Sequence, residues 1–227
     1  MLLNAFTTSI AALAFASTAA AAPRNIPRDN ADLVSKLRQA DTAVDRYPLL
    51  PNNSDFVFDF TDHPLSMANA KAFPALVGSG VSIAYGTIEA CGMASLHIHP
   101  RSSEIFVVTK GKLITEMIPE GGVLDSNTKK PRVIVTTLSA NQTTIFPQGS
   151  FHTQMNPFCE PASAVAAFPS EDPGAALVVP QAFELTDEVV ANSFGGALSA
   201  EDIKRVREAV PMGGTFDVAA CRKKCGL

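Results

Sequence analysis

Along residues 31 to 46, ADLVSKLRQADTAVDR, the apolar positions Leu33, Leu37, Ala40 and Val44 recur at helical spacing with polar residues between them. That pattern predicts one helix, ended by Pro48, and YPLLPNNSD follows as a linker. From Asp55 the texture changes to short runs rich in β-branched and aromatic residues: FVFDF, VSIAYGTIE, SLHIHP, EIFVVT, KLITEMI, VIVTTL, TTIFP, HTQMN, SAVAAFP and AALVVP. Gly, Pro or Asn lies at or near most junctions, which predicts an all-β sandwich or barrel. The tail, LTDEVVANSFGGALSAEDIKRVREAVP, returns to helix, with Ser199 as an N-cap and Pro211 as a stop.

The N-terminus is apolar or small from Met1 to Pro23, with no charged side chain before Arg24. We read residues 1–21 as a secretory signal peptide whose apolar stretch is too short and alanine-rich for a membrane span. The expected organisation is then 22–54 as an N-terminal segment with a short helix and linker, 55–185 as the β-barrel, and 186–227 as C-terminal helices with a cysteine-bearing tail. A chain of 227 residues, 46% hydrophobic, suffices for one sizeable core. Net charge is −4 and there is no Lys/Arg run of the kind that grips phosphates, which argues against nucleic acid and for a small-molecule or protein partner. Secretion makes the four cysteines, Cys91, Cys159, Cys221 and Cys225, candidates for disulfides, and the Asn52 and Asn141 sequons candidates for glycosylation.

The chain holds only four histidines, and three lie in two strand-turn-strand stretches. In SLHIHPRSSEIFVVTKG, strand alternation turns His97 and His99 to one face, about 7 Å apart along the strand. Pro100 to Ser103 then reverses the chain and returns Glu104 beside them. In FPQGSFHTQMN, His152 follows a turn made by Pro147 and Gly149. Two imidazoles with a carboxylate, joined by a third imidazole, are a donor set for one metal ion. His63, before a proline in FTDHPLS, reads as a surface residue, and Met93, Met117 and Met155 as core filling.

The spacing His97-x-His99-(x4)-Glu104-(x6)-Gly111, with Pro147-x-Gly149-x-x-His152-x-x-x-Asn156, resembles the two cupin motifs, and the chain is similar to a germin-like, spherulin-type single-domain cupin from about Asp55 to Pro211. The resemblance implies a jelly-roll β-barrel and a metal site made by His97, His99, Glu104 and His152. Mn(II) is the expected ion, with Fe, Ni or Zn as alternatives for a donor set of three nitrogens and one carboxylate. It also implies a dimer as building block and a hexamer as assembly. Three activities follow from it: a secreted manganese oxidoreductase with superoxide-dismutase-like or small-acid-oxidising activity, a non-catalytic extracellular or cell-wall protein, or an isomerase or dioxygenase of another cupin branch.

Three positions depart from the germin pattern. Cys91 stands where a glycine usually precedes the first motif, and Asn141 stands for the glycine that opens the second; asparagine tolerates the left-handed conformation. Ala94 replaces the asparagine that contacts substrate in oxalate-oxidising germins, which weakens oxalate oxidation as the activity. In the implied barrel the strand of His97 and His99 runs antiparallel to that of His152. Facing residues then have a constant sum of numbers, which puts Cys91 opposite Cys159 and predicts a disulfide between them, with kinks at Gly92 and Pro157. Cys221 and Cys225 are left to pair with each other or with a partner chain.

Overall fold

Period-two alternation in the central 130 residues has to be satisfied by burying one face of each strand, and two facing antiparallel sheets do this. The computed structural model describes residues 28–61, 67–211 and 213–227; residues 1–21, expected to be a signal peptide, and His63 lie outside them. In chain order the elements are α1 (Arg28–Gln39), α2 (Ala43–Arg46), β1 (Met67–Ala68), β2 (Ser82–Ile88), β3 (Gly92–Ala94), β4 (His97–Ile98), β5 (Glu104–Lys110), β6 (Lys112–Ile118) and β7 (Ile134–Ser139). There follow β8 (Thr143–Phe146), β9 (Phe151–Met155), β10 (Ala162–Phe168), β11 (Ala176–Leu177), α3 (Val178–Phe183), α4 (Asp187–Ser193), α5 (Ala200–Ala209), β12 (Thr215–Asp217) and α6 (Ala219–Cys225).

One sheet runs β1-β2-β10-β5-β8. In the other, β9 pairs with β6 along one side, and β6 with β7. Along its other side β9 takes β4 and then β3, which are flanked in turn by β11 and β12. The core between the sheets is built from Ile88, Phe106, Val108, Leu113, Met117, Leu138, Phe146, Ala162 and Ala164. Alternate residues of β5 and β6 supply it, as the pattern demands, and Met117 fills core as expected. Separate apolar clusters seat the N-terminal helix, through Leu37, Leu50, Ala70 and Val77, and the C-terminal helices, through Phe183, Val190 and Ile203. No helix among the described residues is long and apolar enough to cross a membrane.

Several expected elements change. The helix of residues 31 to 46 breaks after Gln39, because Thr42 starts a second helix with a capping box: its hydroxyl accepts from Asp45 N–H and the Asp45 carboxylate accepts from Thr42 N–H. Val44 therefore leaves the apolar face and is 74% exposed. FVFDF is not a strand; its first residue, Phe56, closes a 3₁₀ turn at Asn53–Phe56. AALVVP pairs only at Ala176 and Leu177 before Val178–Phe183 turns helical, with Pro180 in its first turn, where a missing N–H is harmless. Ser199 does cap α5, reciprocally with Asp202.

The predicted Cys91–Cys159 bond is not formed. Cys91 is bonded to Cys221 and Cys159 to Cys225. Register explains the first half of the error: His97 faces His152, but Met93 faces Met155, so the strand of the first motif carries one extra residue between these pairs. Beyond Met155 the second strand has ended, and Cys91 is fully buried while Cys159 lies exposed. Helix geometry explains the second half. Cys221 and Cys225 sit four apart on α6, on one face. Their Cβ atoms are then about 5–6 Å apart, beyond the reach of a disulfide, and each takes a barrel cysteine.

Candidate metal centre

Three backbone carbonyls orient the imidazoles. His97 Nδ1 donates to the Ser95 carbonyl at 2.7 Å, His99 Nδ1 to Gly174 at 2.5 Å and His152 Nδ1 to Ser150 at 2.9 Å. A carbonyl can only accept, so each Nδ1 carries hydrogen, and Nε2 is the atom left to bind a ligand. The Nε2 atoms turn inward: Glu104 Oε2 is 2.9 Å from that of His99 and 3.1 Å from that of His152. One donor atom from each of His97, His99, Glu104 and His152 lies within 4.8 Å of the other three. The structure thus brings together all four side chains picked out by the sequence, and the set fits a metal site: three nitrogens, one carboxylate, and second nitrogens fixed on backbone.

Position follows from topology. His97 and His152 are cross-strand neighbours on β4 and β9, His99 lies just past the end of β4, and Glu104 opens β5 in the opposite sheet. The two motif turns are tied together. Gly149 N–H donates to the His99 carbonyl, Gln148 N–H to Ser103 Oγ, and Gln148 Nε2 to the Pro100 carbonyl. Gly149 holds a φ of +76°, a conformation glycine adopts without strain. Asn141 takes the left-handed conformation expected of it, with φ of +69°.

Electrostatics without an ion report the same convergence. Burial pushes the Glu104 carboxyl up, but hydrogen bonds from His152 and His99 outweigh it and hold the group down at about 2. Burial works against a charged His99 as well, yet the Glu104 carboxylate and the Gly174 carbonyl raise it. His97, desolvated and facing His152, is lowered to about 4. A buried carboxylate that favours positive charge on the His99 imidazole beside it marks a place where a cation would be stabilised.

Sequence reasoning missed the groups that hold the ligands. Phe146 stacks on His152 at 4.3 Å between ring centres, and Phe168 meets His99 edge-on at 4.7 Å. Arg101 donates from Nε to the Asp172 carbonyl and pairs with the Asp172 carboxylate at 2.7 Å, fixing the loop whose Gly174 carbonyl orients His99. Asn156, known only as the last motif residue, is buried, and its Nδ2 reaches the carbonyls of Ile88, Glu89 and Glu160. It is a structural clamp. The signal for these roles was the motif spacing alone: Phe146 and Glu160 lie near their partners in sequence, but Phe168, Asp172, Ile88 and Glu89 reach theirs from far along the chain.

The cluster opens on a cavity of about 870 Å³, walled mainly by Ala84, Gly86, Ile88, Phe106, Ala164, Ala166, Phe168 and Leu177, with Gln154, Tyr85 and Thr215 as polar contributors and, among the described residues, no Lys or Arg. A separate apolar groove of about 410 Å³, lined by Leu96, Met117, Ile118, Val133, Phe151 and Val178, lacks the four-residue cluster.

Fold, paired motifs and ligand set together define the class, and the Cupin family pattern matches residues 60–202. The chain belongs to the cupin family. It is 35% identical to Spherulin-1A of Physarum polycephalum over 206 residues, covering 86% of this chain and 80% of that protein. It is 32% identical to Germin-like protein subfamily 3 member 1 of Arabidopsis thaliana over 199 residues, covering 80% and 88%. Among solved structures, recombinant oxalate oxidase in complex with glycolate superposes with a TM-score of 0.55 at 24% identity over 63% of this chain and 69% of that one. Procruciferin, an 11S globulin from Brassica napus, gives 0.57 at 18% identity over 68% and 38%. At these identities the structural likeness shows the fold.

Proposed function

We propose that this chain is a secreted germin-like metalloprotein in which His97, His99, Glu104 and His152 bind one Mn(II) ion for redox chemistry on a small molecule, superoxide or a small acid. The observation that carries the reading is the set of three Nδ1–carbonyl bonds, which presents three Nε2 atoms and one carboxylate to a single point. A bound manganese ion supplies redox cycling and coordination positions open to a ligand. The protein's part is to hold the donors, to exclude bulk water with Phe146, Phe168 and the alanine-lined wall, and to admit only small molecules. Ala94, and a cavity wall without Lys or Arg among the described residues, argue against a dianionic acid such as oxalate.

Extracellular placement is supported by the apolar N-terminus and by two disulfides, and both sequon residues, Asn52 and Asn141, are exposed. Association of like chains is supported by the exposed Val133, Val135 and Phe151 on one sheet and Ile105 and Ile145 on the other, which a second copy would cover.

A second reading is a scaffold of extracellular or cell-wall type. Glu104 comes from one sheet and the histidines from the other, so a bound ion also cross-links the sandwich. One experiment separates the two. Purified protein is stripped, refilled with Mn(II) or with Zn(II), which cannot change oxidation state, and assayed for superoxide dismutation beside a metal analysis. Activity restored by manganese but not zinc supports the enzyme; a rate no greater than that of free manganese ion supports the scaffold.

A further inference from the structure

The cavity has a wall that is fastened to the barrel by covalent bonds. Gly213, Gly214 and Thr215 line the cavity, and they belong to the C-terminal tail. The tail pairs with three residues of β3, and its Gly213 and Gly214 carbonyls accept from Ser95 Oγ and Ser95 N–H. Val218 N–H reaches the Cys91 carbonyl. Beyond this, α6 buries none of its residues, and its Arg222–Asp217 ion pair is internal to the tail. The remaining fasteners are Cys91–Cys221 and Cys159–Cys225.

The two bonds are arranged unequally. Cys159 is exposed at the surface, whereas Cys91 is 0% exposed, out of reach of an external thiol. Cys225 lies between them: it is bonded to Cys159, and its Sγ is 3.6 Å from Cys91 Sγ. One sulfur each from Cys91, Cys221 and Cys225 lies within 4.8 Å of the others.

We propose that the four cysteines form a thiol–disulfide exchange site, through which an external dithiol releases the tail and opens the wall of the cavity. The regulatory meaning rests on the cavity being the binding site proposed above. A thiolate of the dithiol attacks the exposed Cys159 Sγ, the Cys159–Cys225 bond breaks, and Cys225 leaves as thiolate. The second thiol of the reductant displaces Cys159 and departs as a cyclic disulfide. Two electrons have passed to the protein, and the two protons end on Cys159 and Cys225. The Cys225 thiolate then attacks Cys91 Sγ, forming Cys91–Cys225 and expelling Cys221, which takes up the proton; this step transfers no net electrons. The remaining bond then joins Cys91 to the half-buried Cys225, where a second dithiol attacks the Cys225 Sγ and reduces it; among the described residues the short β12 ladder and a few hydrogen bonds then hold the wall.

The test uses the full-length oxidised protein, titrated with dithiothreitol, trapped with iodoacetamide and mapped by mass spectrometry. The expected one-disulfide species contains Cys91–Cys225, with Cys159 and Cys221 alkylated; a one-disulfide species holding only Cys91–Cys221 overturns the relay. In a Cys159→Ser variant, the oxidised protein should distribute between Cys91–Cys221 and Cys91–Cys225, and a single Cys91–Cys221 bond overturns the exchange. Hydrogen exchange checks the wall. On full reduction, amides of residues 213–218 should lose roughly tenfold or more of their protection while β2, β5 and β10 keep theirs; no change in the tail, or loss across the whole barrel, overturns the opening. None of these readouts needs a metal, so failure of the manganese reading is seen separately, in the metal content.

Discussion

His97 and His152 are directly paired across β4 and β9, with ring centres 4.3 Å apart. Burial, and after it repulsion from an imidazole this close, lower the pKa of His97 and favour its neutral form, the form in which an imidazole nitrogen can bind a metal. Glu104, facing them from the other sheet, supplies the negative charge.

Replacing Glu104 with Gln should leave three imidazoles without their carboxylate. The expected loss of manganese affinity exceeds the roughly 10–100-fold typical of changes to groups behind a ligand, measured by calorimetric titration of the stripped protein with Mn(II).

Acid should destabilise the metal-free chain in two stages. The folded pKa of His97 is lowered from 6.5 to about 4, so the unfolded chain binds the extra proton first, and stability falls as pH drops through that window. Glu104, lowered from 4.5 to about 2, contributes stability that is present above 4.5 and lost as pH falls toward 2. His99 is raised and acts in the opposite sense, with stability present below 6.5 and lost at higher pH. Urea melts between pH 7 and 4 should show a flatter decline in His97→Gln than in the parent; equal slopes would remove His97 as the cause.

Asn156→Ala should cost about 3 kcal/mol by removing the donor shared by three buried or half-buried carbonyls. Chemical denaturation measures it. Preserved metal stoichiometry in the folded fraction would confirm that this motif residue serves the fold rather than the ion.

Gly111→Ala should destabilise by about 1–3 kcal/mol. The residue has φ of +76°, and a Cβ there would lie 3.0 Å from the Ala162 Cα and the Pro161 carbonyl oxygen. A melting temperature unchanged from the parent would refute the strain.

The sequence by itself determined the parts that depend on local period and spacing. Alternation in EIFVVT and KLITEMI specified strands with one buried face, Ser199 announced its helix, and His97, His99, Glu104 and His152 were identifiable as one donor set because their motif spacing encodes two turns and three strands. Only the tertiary structure decided the partners. Whether Cys91 meets Cys159 or Cys221 depends on one extra residue between Ala94 and His97, and on a helix returning from the far end of the chain. The Gly174 carbonyl that orients His99 from 75 residues away was equally hidden, because every residue has a carbonyl and nothing in the side-chain pattern marks this one; the Ser95 and Ser150 carbonyls, by contrast, each stand two residues before the histidine they orient, a local contact. Period is a local property written along the chain, whereas long-range contact is set by how the sheets, once formed, close on one another.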